Sequence, residues 1–413
     1  MVLVCSADLQ AAPPYEPTMP AHPEALEFYL HTIDVGALVY NNFGHTALRV
    51  VNSEEGTDLV YNWGIFDFSD PVSFGFTFYK GILIYQLGIY PYAAAMRMYR
   101  YERRTVWEDK FNLDSAQKRV LMERLIWHAR PENRSYRYDY FFDNCSTRPR
   151  DYFDEAVGGA VQRFVAGHMT GEVFRDMVRS HYATIPFVRV GLDVLMNSRI
   201  DKQMSVWQKM FLPKTLRSVL LEVPSGQAPD GRLVPMLSPV STLVEFPAPV
   251  PYPRWIYFVL VLVGGGPLLA GVMLAWRHQT IPKPLMRVAG FVTLKISFLA
   301  GGYGLLMPTT WIQSEHLDLH HNVNQWLFWP LDWVFLCVAC AWLFKGRGWR
   351  LGARSASLLR GYSLAHLVAA GIYLLLFLVG FFAQNVREVI PLMFVLAVLM
   401  SAFTFLRGTL EET

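Results

Sequence analysis

Apolar and polar positions follow two rhythms along this chain, and they divide it. From Leu26 the runs are short: EFYLHTIDVG, HTALRVVN and DLVYNWGIFDF are rich in β-branched and aromatic residues and predict strands. Asn41-Asn42-Phe43-Gly44 and Ser53-Glu54-Glu55-Gly56 punctuate them as turns. Val120, Leu121, Leu125 and Ile126 then recur at helical spacing behind Asp114 or Ser115, predicting a helix to Ala129. The aromatic, charge-poor run GFTFYKGILIYQLGIYPY, beginning at Gly75, is expected to form strands flanking a lipid-accessible groove. WQKMFLPKTLRSVLLEV reads as an amphipathic stretch near a membrane boundary, and the proline-rich residues 223–254 as an extended linker.

Beyond residue 254 the pattern becomes long and continuous. Five apolar segments, at about 255–276, 288–310, 327–344, 362–383 and 389–406, are each long enough to cross about 30 Å of hydrocarbon. Arg277, Lys283 and Arg287 follow the first; Lys345, Arg347, Arg350, Arg354 and Arg360 follow the third. Residues 311–326, after the second, carry no lysine or arginine. The positive-inside rule therefore puts the N-terminal domain outside and the C-terminus inside. Lys295, inside the second segment, either snorkels toward Arg287 or meets a partner.

Composition agrees with a chain that is part membrane: of 413 residues 53% are hydrophobic and 17% charged. The net charge of +3, with no basic stripe, gives no reason to expect nucleic acid. Residues 1–20 read as a signal remnant or unstructured segment, with Ala11 and Ala12 near a cleavage region. Residues 21–222 read as an α+β extracytoplasmic domain, 223–254 as the linker and 255–413 as an all-α bundle of five transmembrane helices. Cys337 and Cys340 form a C-x-x-C, but inside an apolar run, where packing is the simpler reading.

Chemistry concentrates in YRYDYFFDNCSTRPRD, residues 136–151. Asn144 can cap a helix whose first turn holds Cys145, where unpaired N–H groups favour a thiolate. A small buried hydrophobe is the plain alternative. Cys145 needs a base. Among the histidines His45 has the best context, opening the second strand directly after Gly44. His31 lies mid-strand, while His22, His128, His168 and His181 have no distinguishing setting. Arg148 and Arg150 can touch phosphate or can pair with Asp151 or Asp154.

GHTALRV, VYNWGIFDF and YDYFFDNCSTRPRD together resemble the Lnb-type periplasmic domain of bacteria, over about residues 26–215. That domain is related to circularly permuted papain-like acyltransferases such as lecithin:retinol acyltransferase. The membrane half also resembles the Lnb-type apolipoprotein N-acyltransferases of the bacterial inner membrane. The resemblance implies a permuted papain-like domain, with Cys145 as nucleophile and His45 as general base; Asn62 is read as the residue orienting the imidazole. It implies a phospholipid acyl donor, a diacylglyceryl-cysteine lipoprotein acceptor and no cofactor. A phospholipase or amidase using the same pair is the alternative.

The expected outer loop SEHLDLHHNVNQW also resembles a histidine- and asparagine-rich loop of that family. His316, His320, His321, Asn322 and Asn324 either roof the site and hold a headgroup, the favoured reading, or ligate a metal through His316 and His320. A plain polar loop is the third possibility.

Overall fold

The three strand-like runs form β1 (Leu26–Ile33), β2 (His45–Asn52) and β3 (Thr57–Ile65). This computed structural model describes residues 15–66, 70–227, 230–278, 281–406 and 409–412. Most of the expected signal remnant, with Ala11 and Ala12, therefore lies outside the described residues. Four further strands follow as β4 (Ile84–Pro91), β5 (Val106–Phe111), β6 (Ser135–Arg137) and β7 (Met169–Val173). Four more are β8 (Gln203–Ser205), β9 (Pro224–Gln227), β10 (Leu233–Pro235) and β11 (Leu237–Val244), and two short strands, β12 (Trp349–Leu351) and β13 (Leu410–Glu412), pair in parallel later in the chain. Seven of these make one antiparallel sheet in the order β11-β5-β1-β2-β3-β4-β6.

Alternation decides the two faces of the sheet. Leu30, Leu48, Tyr61 and Trp63 point into the larger core, with Leu121 and Leu125 from the helix Ser115–Ala129 and Phe153 from the helix Thr147–Ala156. Ile33, Ala47 and Val60 face the other way, onto Ala95, Met96 and Tyr99 of the helix Tyr92–Tyr101. The helix Ser115–Ala129 is capped as its sequence requires, Asp114 Oδ1 accepting the Gln117 N–H at 2.8 Å.

Several expectations need correction. The run after Phe74 is not all strand: Pro71–Lys80 is a helix and only Ile84–Pro91 is extended. Asp70 caps that helix at both Val72 and Ser73, Pro71 opens it and a left-handed Gly81 closes it. These end signals outweigh the aromatic, β-favouring composition. The stretch around Pro213–Leu220 buries Leu216, Val219 and Leu220 in the main core instead of meeting a membrane. Residues 223–254 are not simply a linker, because β11 closes one edge of the sheet against β5. Its Pro239 is tolerated there because an edge strand needs ladder bonds on one side only.

The chain divides into two compact units, Met1–Val173 with Gln203–Val250, and Phe174–Lys202 with Pro251–Thr413. The expected boundary at residue 222 therefore misses an excursion: the stretch Phe174–Lys202 belongs with the membrane half. Within that second unit Arg175 is fully buried, its guanidinium 3.0 Å from Asp193 and 2.6 Å from Asp201. Arg189 reaches Glu388 at 2.7 Å, and the Asn385 N–H donates to Asp201 at 3.0 Å.

Two helices among the described residues, Lys283–Gln313 and Ala353–Leu378, are long and apolar enough to cross a membrane. The expected third span is the bent pair Leu317–Trp326 and Pro330–Lys345, broken by 63°. Ile390–Phe405 is apolar but has only 16 residues, and the 25-residue helix Arg254–His278 coincides with the first expected segment. Five straight spans are thus not what the second unit displays. Lys295 lies with its ammonium 4.3 Å from the centre of the Phe291 ring.

Candidate active site

One end of the sheet gathers the reactive residues. β1 ends where β2 begins, with Ile33 opposite His45; β3 ends and β4 begins at the same level, and β6 leaves the sheet there. β3 breaks register between Trp63 and Ile65, around Gly64, whose φ of +100° suits glycine alone. Pairing between β2 and β3 has already stopped at Ala47 and Asn62. The strands therefore part in front of His45, and Cys145 comes into the opening. A Cβ placed on Gly64 would lie 4.0 Å from the Cys145 Cβ, and the Thr46 N–H donates to the sulfur.

Cys145 arrives on a turn just ahead of a helix, which begins at Thr147, not in the helix's first turn as the sequence suggests. Asn144 still does the capping: its Oδ1 accepts the Ser146 and Thr147 N–H groups at 2.8 and 2.9 Å. Its Nδ2 donates to the Tyr140 and Phe211 carbonyls, both at 3.0 Å. A buried asparagine so fully used fixes the turn. One residue further on, Ser146 Oγ lies 2.7 Å from Thr46 Oγ1 and ties the turn to β2.

His45 Nε2 lies 2.6 Å from Asn62 Oδ1. The amide oxygen accepts, so Nε2 carries the hydrogen and Nδ1 keeps its lone pair. Part of the ring remains open to solvent, yet the packing around it dominates its titration. Burial, and then the charge of Arg104, pull its pKa down to about 4, against the stabilising bond to Asn62. Burial likewise pushes the Cys145 thiol up, opposed by the N–H groups of Thr46 and Cys145, the Ser146 hydroxyl and the charge of Arg104. Near pH 7 the resting pair is a neutral imidazole and a neutral thiol.

Sequence reading missed Arg104. Its Nε donates to the Asp34 carbonyl at 2.9 Å and its Nη1 to Glu102 at 3.0 Å, while Nη2 is buried without a hydrogen-bond partner among the described residues. Its charge acts on both His45 and Cys145. An arginine between a helix end and a strand carries no motif, so only the register of β5 against β1 places it here. Tyr85, Tyr99 and Tyr136 also lie close enough to feel a charge on Cys145, and burial raises the pKa of all three.

The other sequence candidates lie in different settings. Arg148 donates two hydrogen bonds to Asp143, at 2.6 and 2.8 Å, against the Tyr136 ring. Arg150 pairs with Asp151 and donates to the Trp207 carbonyl at 2.8 Å. The loop residues belong to the second unit. Asn322 donates to the Val194 and Leu195 carbonyls and Asn324 to Val194, at 2.8–2.9 Å; Tyr373 and Gln384 bond to their oxygens. His320 Nε2 donates to the Ser314 carbonyl, His321 packs 4.6 Å from Trp311, and the His316 N–H donates to Ser314 Oγ. Among the described residues no group of three or more His, Cys, Asp or Glu could hold a metal ion.

No curated protein and no solved structure matches this chain. A membrane protein with a periplasmic domain fits both the helices of the second unit and one family-level similarity. Residues 16–177, the span holding His45, Asn62, Arg104 and Cys145, match the family model of the Lnb N-terminal periplasmic domain.

Proposed function

We propose that this protein is a lipoprotein N-acyltransferase of the bacterial inner membrane, with its cysteine domain on the periplasmic side. The α+β unit is read as a permuted papain-like domain, and the helical half as five membrane passages, one of them bent. The observation that carries the proposal is that the Cys145 turn is held against the start of β2, Ser146 Oγ lying 2.7 Å from Thr46 Oγ1, where His45 opens the strand with its tautomer set by Asn62. The match to the Lnb periplasmic domain supports it.

In the first half-reaction His45 Nδ1 takes the thiol proton as Sγ attacks an ester carbonyl of a phospholipid. The tetrahedral intermediate collapses, the C–O bond breaks, and the imidazolium returns the proton to the departing lysophospholipid oxygen. Backbone N–H groups beside Cys145 stabilise the oxyanion. In the second half the α-amine of a diacylglyceryl-cysteine lipoprotein attacks the thioester. His45 accepts the amine proton, the C–S bond breaks and the thiol is restored. Asn62 keeps the ring aimed through both halves. Neither half calls for a cofactor.

Wild type, Cys145→Ala, His45→Ala and Asn62→Ala should be expressed in a strain lacking its own lipoprotein N-acyltransferase. Wild type should rescue growth and yield amide-acylated lipoprotein, and mass spectrometry should find a thioester on Cys145. Asn62→Ala should slow thioester formation by about 10²-fold. Rescue by Cys145→Ala would exclude the scheme, and fatty acid in place of acylated amine would make the protein a hydrolase.

A further inference from the structure

We propose that the Cys145 end of the sheet carries a rim that inserts into the lipid surface, so that the cleft opens onto the acyl region of the outer leaflet. Two connections emerge at that end beside the site: the one between β1 and β2, and the one between β3 and β4 that holds the helix Pro71–Lys80. Both expose large apolar side chains to solvent. On the first are Leu38 and Tyr40, the tyrosine 55% exposed; on the second are Val72 (82%), Phe76 (57%), Ile82 and Ile84. The turn joining β2 to β3, at the far end, is Ser53-Glu54-Glu55-Gly56.

A folded domain does not leave six large apolar groups on adjoining loops without something to cover them. Three features select lipid as the occupant. The helix Pro71–Lys80 has no acidic residue in its length and ends in Lys80, whose ammonium lies 4.5 Å over the Phe76 ring. That is the arrangement of an interfacial helix, with apolar rings down and a cation at headgroup level. The same chain carries helices long and apolar enough to cross a membrane, and Arg254, which opens the first long apolar helix, follows the end of the sheet unit at Val250 by four residues. The sheet unit is therefore tethered within reach of a bilayer. The rim also lies at the same end of the sheet as the thiol, so lipid docking there would bring ester carbonyls toward Cys145 without exposing acyl chains to water. This inference rests on reading the site as lipid-processing, but its test does not require acyl transfer.

The full chain, with Cys5, Cys145, Cys337 and Cys340 replaced by serine, should be reconstituted in vesicles of phosphatidylethanolamine and phosphatidylglycerol. An environment-sensitive fluorophore is attached at Phe76→Cys or, as control, at Glu55→Cys, and quenched by nitroxides on the acyl chains. Quenching at position 76 about fivefold greater than at 55 is expected for an inserted interfacial residue. Equal, weak quenching at both positions overturns the inference and leaves the rim to a protein partner. A second arm uses otherwise unaltered chain with Val72→Ser, Phe76→Ser and Ile84→Ser. Thioester formation from vesicle phospholipid should fall about tenfold, with acylation of Cys145 by a soluble short-chain thioester unchanged. Equal loss on both substrates also overturns it. Strong quenching at 76 with no thioester on wild type would instead sink the proposed reaction and leave the docking surface standing.

Discussion

Thr46 Oγ1 and Ser146 Oγ lie 2.7 Å apart, both buried, and they belong to the residues that follow His45 and Cys145. The hydroxyl contact pins the start of β2 to the turn carrying the sulfur. Ser146→Ala would leave the Thr46 hydroxyl buried without that partner, at a cost of about 1–3 kcal/mol. Thioester formation should slow, because the base and the thiol would lose their shared anchor, while Thr46→Val combined with Ser146→Ala should recover part of the stability. Thermal unfolding and single-turnover acylation of the three variants check this.

Arg104 should govern the ionisation of the thiol. Burial raises the Cys145 pKa and the Arg104 charge lowers it, so removing the charge leaves the thiolate less favoured. Alkylation of Cys145 by iodoacetamide should be slower near neutral pH than that of a free cysteine, rising only above the ordinary thiol range. Arg104→Met should shift that rise to still higher pH, and Arg104→Lys should partly restore it. The same loss should raise the His45 pKa, since Arg104 also holds that one down. An unchanged alkylation profile in Arg104→Met would remove the residue from the site.

Acid should loosen the sheet unit through two histidines. The His128 pKa falls to about 3, chiefly through burial and then through the charges of Arg148, Arg124 and Arg134. Its Nδ1 is 3.1 Å from Trp63 Nε1 and 3.0 Å from the Tyr152 hydroxyl. For His128 and His45 alike the folded pKa lies below the unfolded value of about 6.5. Between that value and the folded ones the unfolded chain binds more protons, so stability falls as pH drops from about 6.5 toward 4. Amide exchange in β2 and β3 should accelerate over that window. His128→Gln, which keeps an acceptor but cannot take the charge, should flatten the dependence.

The asparagines of the second unit should matter first for folding. Asn324 is fully buried and holds Val194 and Tyr373 together, so Asn324→Ala strands both partners. A loss of about 2–4 kcal/mol is expected for the unit. Protein level in the membrane and protease resistance around residue 194 should fall together. Normal yield with a selective loss of acyl transfer would instead point to a role in holding substrate.

Legibility varied with the range of the interaction that decides each feature. β1, β2, β3 and the helix Ser115–Ala129 were readable because alternation, turn residues and an Asp114 cap act within a few positions. Cys145 and His45 stood out by local setting, and Asn62 by lying on a neighbouring strand. Arg104 was invisible, since nothing near it in the chain shows that β5 aligns with β1 to bring it to the site. The helix Pro71–Lys80 was misread because aromatic composition suggested strand, while Asp70 and Gly81 decide the matter from its two ends. β11 was hidden for a similar reason: prolines that argue against a central strand do not forbid an edge. The asparagine loop reads as one that holds a headgroup or roofs the site, whereas Asn322 and Asn324 bond to the Val194 and Leu195 carbonyls, more than a hundred positions away in the chain.

The excursion between β7 and β8 has a practical meaning for anyone wishing to isolate the cysteine domain. The backbone departs at Val173, contributes Arg175, Arg189 and Asn197 to the helical half, and returns at Gln203. Stopping translation after residue 250 would release the sheet with a dangling strap whose Arg189 has lost Glu388 and whose Asp201 has lost Asn385. No single scissor stroke yields two self-sufficient pieces. A self-contained sheet fragment would need that strap excised and β7 rejoined to β8 by a short loop.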